Sequence, residues 1–319
     1  MASKEPSLKS HRTPPGALLD TLTIMLQKGL SRIAPEYSTD LGYFYPEVFR
    51  VAVKYKVRET DILEDLSRLG ALEKEYFDSI ILCPRCGSHH VSPKLKCPTC
   101  GSERLRKEIT LSHVKCGAVN VVERIPGALC KKCGEPLDKN NTVVIGTLYY
   151  CQNCGSRFEI PLPSFKCNAC GATFDHKEAE YVTIHAYRVN AEQASSLTKQ
   201  LAIESIELVA QNAGLTAAHQ TRASGHSGLE YKVDLSLSDG KKTVLLDVIG
   251  HGPDAPSDAL LASAKAGDLS PDTYSVIAPK DVADKLKTTA RVETYRDADE
   301  LKEKVGRIIE EKFNRKLRL

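Results

Sequence analysis

The sequence predicts a multidomain α+β chain with an N-terminal winged helix, three consecutive zinc ribbons and a C-terminal α/β domain. Three observations predict it. Apolar residues recur at helical spacing between residues 16 and 69. Six half-sites for a metal, each closed by a glycine, crowd residues 83–171. Strands and helices then alternate from residue 196 to the end. The chain's 319 residues are enough for several domains, and 41% hydrophobic with 27% charged residues is ordinary for globular protein.

Residues 1–15 are rich in Pro, Ser and Lys and contain no apolar h-region. A flexible lead-in and no export signal are expected. Residues 16–82 are expected to form the winged helix. The segment GALLDTLTIMLQKGLSRIA (16–34) has apolar residues one helical turn apart. A second helix is expected over Glu47–Tyr55, after Pro46, and a third over Glu59–Leu69, stopped by Gly70. ALEKEYFDSIIL then reads as a wing-like strand. The third helix carries Glu59, Asp61, Glu64 and Asp65 against Arg58 and Arg68. Those carboxylates would repel phosphates, so helix 59–69 is expected to meet a protein partner rather than DNA.

Residues 83–190 hold ten cysteines in Cys-x-x-Cys pairs: Cys83/Cys86, Cys97/Cys100, Cys130/Cys133, Cys151/Cys154 and Cys167/Cys170. The eleventh, Cys116, follows His113 at the same spacing. Six half-sites supply twelve ligands, which suit three tetrahedral zinc ions. Gly87, Gly101, Gly117, Gly134, Gly155 and Gly171 close the six turns. Glycine at that place permits the positive φ that turns both ligands and the following amides toward one ion. Sequential pairing would give three ribbons: Cys83, Cys86, Cys97 and Cys100; His113, Cys116, Cys130 and Cys133; Cys151, Cys154, Cys167 and Cys170. Cross-braced pairing is the alternative. The intervening gaps of ten, thirteen and twelve residues suit short hairpins, with TVVIGTLYY (142–150) and YVTIHAYRV (181–189) as strands. So many thiols without an export signal point to a reducing cytoplasm, and no stretch is apolar enough to cross a membrane. His89, His90 and His176 are read as surface residues.

Net charge is +3 overall, but residues 83–139 carry eleven Lys/Arg against five Asp/Glu. Four thiolates on one Zn²⁺ leave about −2, so the basic excess there falls to roughly +3 once metal is bound. Arg85, Lys94, Lys96, Arg104, Arg106, Lys107, Lys131 and Lys132 form the remaining basic surface. Residues 83–148 contain no aromatic residue, which disfavours base stacking there and leaves phosphate contact open.

In residues 196–319 the expected order is helix, three strands, helix, strand, short helix, strand and a long helix 298–314 with Leu301, Val305, Ile308, Ile309 and Phe313 on one stripe. GHSGLEYKVDLSL followed by TVLLDVIG resembles the PD-(D/E)xK nuclease fold in its Mrr-like restriction endonuclease branch. The resemblance implies a nuclease-like α/β domain with Asp234 and Asp247 as catalytic, Mg²⁺-binding acids, and Glu204 or Glu207 as an accessory carboxylate. The lysine of that motif is replaced by Ile249, which cannot polarise water. A catalytically silent domain is therefore the favoured reading, with Lys232, Lys242 or Lys265 as substitutes if it is not.

The order CPRCGS, CPTCGS, ITLSHVKCG, CKKCG, YYCQNCG and FKCNACG resembles the thaumarchaeal output domain, a zinc-ribbon module of archaeal regulatory proteins. The resemblance implies an archaeal regulator whose ribbons are the effector part. The combined expectation is a non-catalytic adaptor tied to nucleic acid or the transcription machinery, with three zinc ions per chain. A Mg²⁺-dependent nuclease and a protein-interaction scaffold are the alternatives.

Overall fold

The computed structural model describes residues 13–270 and 272–315. Most of the expected lead-in, residues 1–12, lies outside the described residues. The chain divides into two compact units, residues 1–77 with 184–319, and residues 78–183.

The first unit begins with α1 (Pro15–Gln27), β1 (Arg32–Ile33), β2 (Glu36–Ser38), β3 (Gly42–Phe44), α2 (Pro46–Tyr55), α3 (Glu59–Arg68) and β4 (Leu72–Leu82), whose last residues enter the second unit. Proline at the first position starts both α1 and α2, where its missing N–H costs nothing. α1 ends earlier than the apolar pattern suggests, because Gly29 turns the chain at φ +61° and β1 follows. β4 does not turn into a wing hairpin. Its sheet runs β1–β12–β4, where β12 (Glu180–Val189) is the strand that returns to the first unit.

The second unit contains β5 (Val91–Lys96), β6 (Leu105–His113), β7 (Val119–Val122), β8 (Thr142–Cys151), β9 (Arg157–Phe158), β10 (Leu162–Cys167) and β11 (Thr173–Asp175). Its strands form two sheets, β7–β6–β8–β9 and β11–β10–β5.

After β12 the first unit resumes with α4 (Ala191–Asn212), β13 (Thr216–Ser224), β14 (Glu230–Ser238), β15 (Thr243–Val248), α5 (Ala255–Asp268), β16 (Tyr274–Pro279), α6 (Lys280–Ala283), β17 (Val292–Tyr295) and α7 (Ala298–Phe313). The sheet order is β13–β14–β15–β16–β17, antiparallel through β15 and parallel from there. α6 is a single turn rather than the longer helix expected from DVADKLKT.

Residues 16–72 and 187–313 share one apolar core. Leu18, Leu22 and Met25 of α1 are fully buried beside Leu197, Leu201 and Ile206 of α4 and Leu301, Val305 and Ile309 of α7. The stripe expected on the last helix is the face it buries. Buried Asp20 joins the two segments: it accepts the α7 N-terminal amide of Ala298 at 2.7 Å, the Tyr55 hydroxyl at 3.0 Å and the Lys54 ammonium at 2.9 Å. A carboxylate suits the positive end of a helix. Gly16 permits this close approach, since a Cβ there would stand 2.9 Å from the Tyr55 hydroxyl. No helix among the described residues is long and apolar enough to cross a membrane.

Candidate metal centre

The six half-sites share one backbone device. In each, the glycine amide donates to the carbonyl of the first ligand, and the first ligand's amide donates to the carbonyl five residues on, all at 2.8–3.0 Å. The six glycines have φ between 68° and 75°, where a side chain would be strained. The first ligand of each turn is buried, whereas Cys86, Cys100, Cys133 and Cys154 are exposed.

The strands decide which turns meet. β5 runs antiparallel to β10, with Lys96 opposite Leu162 and Val91 opposite Cys167. β6 runs antiparallel to β8, from Leu105↔Cys151 to His113↔Thr142, with one irregularity between Thr110 and Leu111. The segment before residue 113 is thus folded back along the segment after residue 130. The ligand groups are nested: Cys83, Cys86, Cys167 and Cys170; Cys97, Cys100, Cys151 and Cys154; His113, Cys116, Cys130 and Cys133. Sequential pairing holds only for the innermost group, and the two outer ones are corrected. Local hairpins across the ten- and twelve-residue gaps lose to a long antiparallel ladder, which pairs more backbone amides and carbonyls.

The donor geometry fits zinc. Tetrahedral Zn–S bonds place sulfurs about 3.8 Å apart. The distances Cys83–Cys170, Cys86–Cys167, Cys97–Cys154 and Cys100–Cys151 are 3.7, 3.6, 3.7 and 3.6 Å. His113 Nδ1 lies 3.3 Å from both Cys116 and Cys133 sulfurs, so Nδ1 is its ligand atom. These sulfurs are too far apart for disulfides, and all eleven cysteines are free. The electrostatics ask for a cation. The Cys170 amide, against burial, draws the Cys167 thiol down to about 6. Cys86 in the same group is pushed up to about 12, despite the Ser88 amide, by the sulfurs of Cys170, Cys167 and Cys83 and by burial. Neighbouring thiolates resist sharing negative charge until a metal compensates it. Each of the three groups can therefore hold one zinc ion.

Supporting residues carried no signal in the sequence. Buried Asn120 accepts the Lys131 amide through Oδ1 at 2.9 Å and directs Nδ2 to the Cys130 sulfur at 3.7 Å. Ser156 Oγ lies 2.9 Å from the Cys154 sulfur and 3.4 Å from that of Cys97. Such contacts orient ligands and offset thiolate charge.

Nesting also changes the surface. Pairing places Tyr150 opposite Arg106 and Tyr149 opposite Lys107, so aromatic rings absent from residues 83–148 come back beside the basic residues. Arg106 and Arg157 lie 5.0 and 4.8 Å from the centre of the Tyr150 ring, and both donate at 2.9 Å to buried Glu108. Arg106 is thereby committed internally, whereas Arg85, Arg104, Lys107 and Lys131 are exposed.

In the first unit, Asp234 on β14 and Asp247 on β15 are adjacent. The Asp234 amide donates to Asp247 Oδ1 and the Val248 amide to Asp234 Oδ2, both at 2.9 Å. Asp247 Oδ2 also accepts from Lys265 at 2.7 Å and from the Tyr274 hydroxyl at 2.6 Å. Lys199 lies 3.1 Å from Asp234 and 3.2 Å from Asp258. Burial acts to lower the Lys199 pKa, but Asp234 and Asp258 together outweigh it and hold the ammonium above its ordinary value, so it stays charged. Ile249 is buried, Lys242 reaches the Lys312 carbonyl, and Glu207 holds His219; neither they nor Glu204 or Lys232 side chains line the cleft of about 570 Å³ that Asp234 and Lys199 border.

The sequence model of the family described as thaumarchaeal output domain 1 matches residues 8–189, more than half of the chain. No curated protein and no solved structure matches it.

Proposed function

Because the chain belongs to the thaumarchaeal output domain 1 family, we propose that it is a non-catalytic regulatory adaptor. Its zinc-bound ladder presents a basic surface to nucleic acid or to a nucleic-acid-bound transcription complex. The observation that carries the reading is the nested set of three closed four-ligand groups, which leaves no open coordination position for chemistry. Zinc would fix the fold, and the exposed Arg85, Arg104, Lys107 and Lys131 would meet phosphates. Residues 16–82 are read as winged-helix-like and residues 196–319 as nuclease-like, the latter supported by the order α4, β13, β14, β15, α5, β16. A salt titration of binding to duplex DNA and to structured RNA tests this. Four phosphate contacts give a slope of log K against log salt of roughly −3.6 on a duplex. No binding at low salt, or a flat response, sinks the adaptor and favours a protein scaffold.

One observation favours a second reading. Lys265 reaches Asp247 from α5 and supplies the ammonium that Ile249 cannot. Asp234 and Asp247 would then be the acids of a Mg²⁺-dependent nuclease. The hydrogen bonds already satisfying Asp247, and the lysine held between Asp234 and Asp258, support the silent reading instead. Plasmid cleavage in Mg²⁺ or Mn²⁺ that disappears in Asp247→Ala would reverse the choice.

A further inference from the structure

We propose that the outermost ligand group is a peroxide-sensitive thiol site, at which Cys86 is oxidised first, Cys167 closes a disulfide with it, and one of three zinc ions is lost. This holds only if the three groups bind zinc, as proposed above. Beyond that condition, the groups differ in the side-chain hydrogen bonds that reach their sulfurs.

Three of the six turns continue as Cys-Gly-Ser, with Ser88, Ser102 and Ser156 in the same place. Only Ser156 turns its hydroxyl to sulfur, 2.9 Å from Cys154 and 3.4 Å from Cys97. Ser88 Oγ accepts the His90 amide at 3.1 Å and Ser102 Oγ the Arg104 amide at 3.2 Å. Carboxamides divide in the same way. Asn153 Nδ2 lies 3.6 Å from the Cys100 sulfur and Asn120 Nδ2 3.7 Å from that of Cys130, whereas Asn168, beside Cys167, donates to Ser92 Oγ at 2.8 Å. Among the described residues no side-chain donor other than a neighbouring thiol reaches the sulfurs of Cys83, Cys86, Cys167 or Cys170. The buried pair Cys83 and Cys167 packs instead against Phe174, Ile81, Val91 and Phe165, which offer none.

Access does not separate the two four-cysteine groups, because Cys86 and Cys170 in one and Cys100 and Cys154 in the other are all exposed. Charge does not either: four thiolates on one Zn²⁺ carry about −2, while the histidine group carries about −1. Hydrogen bonds to a thiolate draw off electron density, so the sulfurs without them are the stronger nucleophiles. The chemistry then balances on two thiolates and one hydrogen peroxide. The Cys86 thiolate attacks a peroxide oxygen, the O–O bond breaks, and hydroxide leaves as water after taking a solvent proton. The sulfenic acid so formed lies beside the Cys167 sulfur, which stands 3.6 Å from that of Cys86. The Cys167 thiolate attacks the Cys86 sulfur, the S–O bond breaks, and a second hydroxide leaves as water. Two electrons pass to the peroxide and two solvent protons are consumed. Cys83 and Cys170 alone remain as ligands, too few to close a tetrahedral site.

Titration of the full chain with hydrogen peroxide, following zinc release with a coloured chelator and mapping disulfides by mass spectrometry, is the test. Zinc is counted before oxidant is added, so a shortfall there strikes the metal reading and not the order of oxidation. The first equivalent of zinc should leave together with a Cys86–Cys167 disulfide, roughly tenfold faster than oxidation of the Cys97, Cys100, Cys151 and Cys154 group, and a dithiol with added zinc should restore it. Ser156→Ala leaves every ligand in place and should speed oxidation of Cys154 about tenfold, which narrows the gap. First oxidation in the middle or innermost group, equal rates in all three, or a middle group indifferent to Ser156→Ala would overturn the proposal.

Discussion

The two units of this chain are stabilised by different means. The first buries a large apolar cluster from five helices, α1, α2, α3, α4 and α7, and the strands beneath them, with a second cluster around α5. The second buries two small clusters, Cys83, Cys167 and Phe174 in one and Leu111, Cys130 and Leu137 in the other, so half of these six residues belong to the groups that could hold zinc. A chain segment of that length with so little apolar burial needs a further source of stability to offset its conformational entropy, which ions held by the three ligand groups would supply. The contrast teaches that residue spacing alone does not say which turns share an ion; the backbone ladder does.

Metal removal should separate the units most sharply. A structural zinc contributes on the order of 10 kcal/mol to the folding of a small module. Chelation with a strong zinc ligand should therefore expose residues 78–183 to proteolysis and leave residues 13–77 and 184–315 protected. Metal analysis before chelation should return about three zinc ions per chain. Retention of the ladder's amide protection after complete metal loss would end the comparison, because the second unit would then have a core of its own.

The nested pairing makes a stoichiometric forecast. Cys83→Ser with Cys170→Ser disables one ion in the nested arrangement but two in the sequential one. Cys83→Ser with Cys100→Ser does the opposite. Zinc content of the two double variants, read beside the parent, decides between the arrangements without any assumption about function.

A core cavity tests whether the first unit is cooperative. Leu201 is fully buried on α4, in the cluster it shares with Leu18 and Leu22 of α1. Leu201→Ala should cost about 3 kcal/mol. The loss should appear equally in hydrogen exchange of residues 13–77 and of residues 184–315 while the zinc ladder is unaffected. Destabilisation confined to one segment would mean that the shared core is two adjoining ones.

Much of this was legible in the sequence, and the failures have a common cause. Helical period gave α1, α2, α3 and the buried stripe of α7, because a repeating apolar face is a local property. The glycine after each second ligand gave the turn geometry, because one φ angle is also local. Partner choice over long range was not legible from gap lengths. A signal was present all the same: the six half-sites are spaced almost symmetrically about the segment between Cys116 and Cys130, as a folded-back ladder requires. The acidic residues of α3 were legible, but composition cannot reveal that Glu59, Glu64 and Asp65 also contact the Tyr45 amide, Lys74 and the Thr13 amide. Nor could it show Tyr149 and Tyr150 returning to the basic strand.

The smallest expected effect is a pH dependence confined to the first unit. His251 has only 9% of its side chain exposed, and burial, opposed by Asp281 with Nε2 at 3.2 Å, holds its pKa below the ordinary value. Lys285 acts in the same direction as burial. A base with a depressed folded-state pKa binds its proton more readily when unfolded. Stability is therefore full above the unfolded value near 6.5 and declines as pH falls through that value toward the folded one. Urea midpoints of the first unit should drop between pH 7.5 and 5.5 by the equivalent of about 1 kcal/mol or less, and His251→Gln should flatten that slope. The ladder must be followed separately, because thiolate protonation releases zinc over a neighbouring range. A slope unchanged in His251→Gln would assign the acid sensitivity to other groups and leave burial of this imidazole without thermodynamic consequence.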